Sequence, residues 1–144
     1  MATDAPAPAV PTWFRIVAVL ALLWNAFGVV QYLASVGLFG DPLATLDDAQ
    51  RIAAEGIPSW IYAPFAIGTF AGLIGSAGLL LRKRWSVPVL TVSLIALAVL
   101  EGWILFLSGA LDAFGGAALP IAIVVIAAVL VWFAGRARAR GWLA

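Results

Sequence analysis

The chain has no cysteine and no histidine, and only 10% of its residues carry a charge. Without thiols there is no disulfide, no thiolate nucleophile and no cysteine-bound metal. Without imidazole the commonest general base, and the commonest zinc and haem ligand, is missing too. The scarcity of charge excludes a water-soluble fold, because 65% of the 144 residues are hydrophobic, well beyond the usual composition of globular proteins. No enzyme is expected, and neither a metal, a cofactor nor a nucleic-acid partner. The acids present lack any companion that resembles a nucleophile, a metal site or a base.

What the chain does have is long apolar runs. Residues 1–12 form an alanine- and proline-rich lead (Pro6, Pro8, Pro11) that buries little and is expected to be a disordered cytoplasmic segment. Four runs follow, at about 13–38, 59–81, 87–107 and 119–134. Each is able to cross about 30 Å of hydrocarbon at about 1.5 Å per residue. A cleaved signal peptide also places an arginine ahead of an apolar run, but the first run is too long for one and holds Asn25 at its middle. The expected fold is all-α: an integral membrane four-helix bundle (13–135) with a basic cytoplasmic tail at 136–144. The polar stretch 40–58 contains Asp41, Asp47, Asp48 and Glu55. With Asp41-Pro42 or Thr45 as its cap, Leu46, Ala49, Ile52 and Ala53 on one face and Gly56 at its end, it predicts a short helix lying on the membrane surface.

Lysine and arginine close to a span resist translocation. Arg15, the cluster Arg82, Lys83 and Arg84, and the cluster Arg136, Arg138 and Arg140 therefore share one side, and four spans between them close without conflict. The predicted topology puts both ends in the cytoplasm of a bacterial inner membrane, with the acidic loop and Asp112 facing outward. Six of the seven tryptophans fall near span ends, where indoles settle among headgroups; Trp24 is the exception and is expected inside the bundle. The arginine clusters also suit anionic lipid headgroups, although topology alone gives them a sufficient role.

Glu101 is the most informative residue, because a carboxylate on a span costs roughly 3 kcal/mol or more and asks for a partner or water. The first and third spans both run outward, which puts Gln31 at about the depth of Glu101 and makes a hydrogen bond between them possible; Asn25 lies nearer the centre. Polar groups within spans commonly glue helices together, and that is the plain expectation. The sharper one is a solute or proton site formed by Glu101, Gln31, Asn25 and Trp24. On the second span Gly68, Gly72, Gly75 and Gly78 form a ridge that allows two helix backbones to approach closely, within the chain or across a homodimer.

The segments Trp24-Asn25-x-x-Gly28-Val29-x-Gln31-Tyr32, Pro58-x-Trp60 with Phe65-Ala66-Ile67, and Gly72-x-x-Gly75-x-x-Gly78-Leu79-Leu80-Leu81-Arg82-Lys83-Arg84-Trp85 resemble a family of small four-span bacterial inner-membrane proteins. The resemblance covers roughly residues 20–107. Members of that family often carry the label sugar transporter. It implies a small-solute, sugar-like transporter, which four short spans would have to form as a homo-oligomer. The alternative is a non-catalytic accessory or assembly subunit whose partner is a larger membrane complex.

Overall fold

A computed structural model describes residues 9–144. Of the lead expected over 1–12, residues 1–8 lie outside the described residues. There are five α-helices, α1 (Thr12–Ser35), α2 (Asp48–Glu55), α3 (Tyr62–Leu80, entered through a 3-10 turn at Ser59–Ile61), α4 (Ser86–Phe106) and α5 (Ala118–Ala139), with no strand among the described residues. Four of them, counting the turn with α3, are long and apolar enough to cross a membrane. Large apolar side chains such as Leu20, Phe27, Ile95 and Val125 cover the outside of the bundle. A soluble protein does not expose such continuous apolar surface, and a multi-pass membrane protein requires it.

The helix ends follow from local chemistry. α1 stops at Ser35, short of 38, because Gly37 takes φ 82° and Leu38 N–H reaches back to the Leu33 carbonyl, a glycine-terminated helix end. α3 closes in the same way, with Lys83 N–H on the Gly78 carbonyl, but the left-handed position is occupied by Arg82 at φ 60°. α5 runs beyond the expected 134 to Ala139, taking Arg136 and Arg138 into its last turn. Alanine and arginine are strong helix formers, and cations suit a helix C-terminus. Gly141, at φ 70°, then reverses the chain. In α2 the cap is Asp47, not Asp41 or Thr45. Gln50 lies three residues on and completes a reciprocal capping box with it, whereas Asp41 receives only the Leu43 N–H of a tight turn. Gly56 ends α2, and Ile52 stays exposed.

α3 is the central helix, packing against α1 on one side and α4 on the other, and α4 in turn packs against α5. The glycine ridge forms the α3–α4 seam within the chain. A methyl at Gly68 would strike Leu97, one at Gly75 would strike Leu90, and one at Gly78 would strike the ring of Trp85. Large side chains of α4, and that of Trp85 at its N-cap, therefore fill notches left by glycine, as expected where packing rather than hydrophobicity joins helices.

At the end bearing Arg82 to Arg84, called the basic end below, α1 meets α5 where Phe14 stacks on Phe133 at 5.4 Å. Residues 142–144 fold back over this end instead of trailing away. Ala144 N–H donates to the Arg82 carbonyl at 2.6 Å, Arg84 N–H donates to the Ala144 carbonyl, and the Nε atoms of Arg82 and Arg84 donate to the carbonyls of Trp142 and Leu143. Leu143 is 1% exposed and Trp142 8% exposed, so Trp142 is a core residue and not the headgroup anchor expected from its position. It is held edge-on to Trp13 and Phe14.

Candidate functional site

Between the aromatic core at the basic end and a second core around Ile61, Leu97 and Leu100 lies a polar layer where three helices meet. From α1, Asn25 Nδ2 donates to the Ala21 carbonyl (2.9 Å) and to Ser76 Oγ on α3 (3.0 Å). From α4, Ser93 Oγ donates to the Gly68 carbonyl of α3 at 2.6 Å. Gly72 lies between them, and any side chain there would collide with the Asn25 carboxamide and Ser93 Oγ. Every member is buried. Asn25 and Trp24 also border a void of about 10 Å³, at the lower limit for a single water (~10–15 Å³). This layer holds helices together and has no room for a solute.

Glu101 is elsewhere. It is 3% exposed and lines a half-open cavity of about 190 Å³ between α4, α5 and the 107–117 loop, at the end opposite the arginines. Trp103, Ile104, Phe114, Leu119 and Ile57 form most of the wall. Among the described residues, the one side-chain nitrogen or oxygen sealed from any partner is Ser86 Oγ. The Glu101 carboxylate has no hydrogen-bond or ion-pair partner among these residues and opens onto the cavity. The only hydroxyl in the wall, Ser108 Oγ, already donates to the Ile104 carbonyl at 2.7 Å and accepts from Ala110 N–H. Gln50 Nε2 of α2 donates to the Ala113 carbonyl at 3.3 Å, tying the two loops together beside this cavity.

The four polar-site residues expected from the sequence are therefore not brought together. Gln31 is on the exposed face of α1 and makes no bond to Glu101, which is turned toward α5 and the 107–117 loop. Trp24 is only partly inside the bundle: it borders the small void beside Asn25 but is 37% exposed. With about 100° per residue, a helix that turns Asn25 inward turns its neighbour aside. The structure adds Trp103, Phe114 and Ile57 to the cavity wall and Ser76 and Ser93 to the polar layer, none of them expected as site residues from the sequence. For Ser93 a signal existed: Ser93, Leu97 and Glu101 recur every four residues on one face of α4. For Phe114 and Ile57 there was none, since loop folding alone brings them to Glu101.

The chain matches no protein-family model, no curated protein and no solved structure.

Proposed function

We propose that this protein is a small-solute carrier of the bacterial inner membrane, oriented with its basic end in the cytoplasm, and that the Glu101 cavity is its solute site. One observation carries this reading: a buried carboxylate on a membrane-spanning helix faces an open cavity without a side-chain partner, while the polar groups that join the helices are a separate set. Glue needs a partner, and Glu101 has only space. The side chains packed across the basic end support a state open on the acidic side and closed on the other, the asymmetry that alternating access requires. Four spans supply one wall set only, so the carrier acts as a homo-oligomer. The arginines at the basic end support the orientation through the positive-inside bias, and they remain suited to anionic headgroups.

A second reading, an accessory subunit of a larger membrane complex, has its own observation. A groove of about 510 Å³ on the α3–α4 face is lined by Trp60, Pro64, Ile67, Val92, Ile95 and Val99, an apolar trough of a kind that takes a partner helix. Native mass spectrometry in mild detergent separates the two: a homo-oligomer supports the carrier, and a reproducible foreign subunit supports the accessory role. Uptake into proteoliposomes tests the site, since Glu101→Gln should abolish it, and unchanged uptake would remove Glu101 from the mechanism. Orientation is tested with cysteines introduced at positions 48 and 138 and an impermeant thiol reagent. Labelling at 138 in intact cells would overturn it.

A further inference from the structure

We infer that the Glu101 cavity recognises a small organic ammonium ion, an amine or quaternary ammonium with an apolar shell, an assignment that rests on reading this cavity as the solute site. The lining excludes the other solute classes one at a time. A sugar brings several hydroxyls, each needing a donor or acceptor, and the wall has one carboxylate and one hydroxyl that is already bonded. An anion would meet the carboxylate with like charge. A bare metal ion needs several oxygen ligands, and no group of three acidic, histidine or cysteine side chains exists among the described residues. A neutral apolar molecule would leave the buried Glu101 carboxyl group without any hydrogen-bond partner.

An organic ammonium meets each condition. Its charge neutralises Glu101 with a single contact, its methyl or methylene shell suits Ile104, Leu119 and Ile57, and Trp103 and Phe114 in the wall are the aromatic residue types that attract a desolvated cation. The cavity volume, about 190 Å³ against ~10–15 Å³ for one water, admits a group of this size. The charge around the mouth agrees independently. The connecting segments at this end, α2 included, carry Asp41, Asp47, Asp48, Glu55 and Asp112 against Arg51 alone, a field that draws cations toward the cavity.

The test uses the full chain in nanodiscs of zwitterionic lipid, titrated at constant ionic strength with choline, with its uncharged isostere 3,3-dimethylbutan-1-ol, and with glucose, and read by tryptophan fluorescence and calorimetry. Choline should bind saturably and at least about tenfold more tightly than the isostere, with glucose silent. Glu101→Gln should weaken choline by at least about tenfold, and Phe114→Leu by several-fold, at unchanged helicity. The wild-type comparison of choline with its isostere needs no variant, so a misfolded mutant would not blunt the test. No saturable choline binding, equal binding of the isostere, or equal binding by Glu101→Gln would overturn the assignment. Choline binding without proteoliposome uptake would leave it standing and sink the carrier reading. Glu101-dependent uptake of another solute without choline binding would do the reverse.

Discussion

Replacing Gly72 by alanine should destabilise the bundle far more than the same change at Gly102. On α3, a methyl at Gly72 would run into Asn25 Oδ1, with Asn25 Cγ at 2.9 Å and Ser93 Oγ at 3.0 Å, whereas a methyl at Gly102 would meet nothing within 4 Å. Asn25 has little room to retreat without giving up its 3.0 Å bond to Ser76. Both substitutions gain a similar helix propensity of about 1 kcal/mol, which cancels between them. The difference isolates the collision, about 1–3 kcal/mol for overpacking, and the interhelical hydrogen bond, about 1 kcal/mol. Gly72→Ala should therefore unfold about 2–4 kcal/mol more easily than Gly102→Ala in an SDS titration from mild detergent, followed by tryptophan fluorescence. Adding Asn25→Ala should return part of the loss, since it vacates the space the methyl needs. Two single variants within about 0.5 kcal/mol of each other would refute the three-helix junction.

At the basic end, Leu143→Ala removes a side chain that is 1% exposed and should cost about 2–3 kcal/mol in the same titration, a result foreign to a free tail. Arg82 combines a left-handed backbone at φ 60° with an Nε bond to the Trp142 carbonyl, so alanine there loses the bond and keeps the strain, while glycine loses the bond and relieves the strain. Arg82→Gly should be more stable than Arg82→Ala by about 1 kcal/mol, and unfolding midpoints in the opposite order would contradict the turn geometry.

The four long helices were legible because a membrane demands about 20 apolar residues per crossing, and a run of that length has few other uses. Their ends were less so. Gly37 stops α1 through its own backbone freedom, and the alanine-arginine alternation after 134 continues α5 where charge alone suggested a tail. The glycine ridge announced close packing, but its occupants Leu97, Leu90 and Trp85 depend on the antiparallel register set by the Arg82–Trp85 turn. Asn25 stands out as a polar residue in a span, whereas its partner Ser76 reads only as one more small residue of the α3 ridge, because a serine costs so little there. Glu101 is legible as a polar locus, but its neighbours are not. Matching depth across two spans says nothing about angle around the bundle: Gln31 lies on the outer face of α1, and Glu101 faces α5 and the 107–117 loop.

The central claim is that Glu101 faces an accessible cavity while the serine and asparagine layer is sealed packing. The chain has no cysteine, so Glu101→Cys and Ser76→Cys can each be exposed to a small cationic methanethiosulfonate reagent in the folded protein. Ser76 is 0% exposed. Rapid modification at position 101, none at 76 before unfolding, and slowing of the former by choline is the predicted result. An unreactive cysteine at 101, or equal rates at both positions, would contradict it.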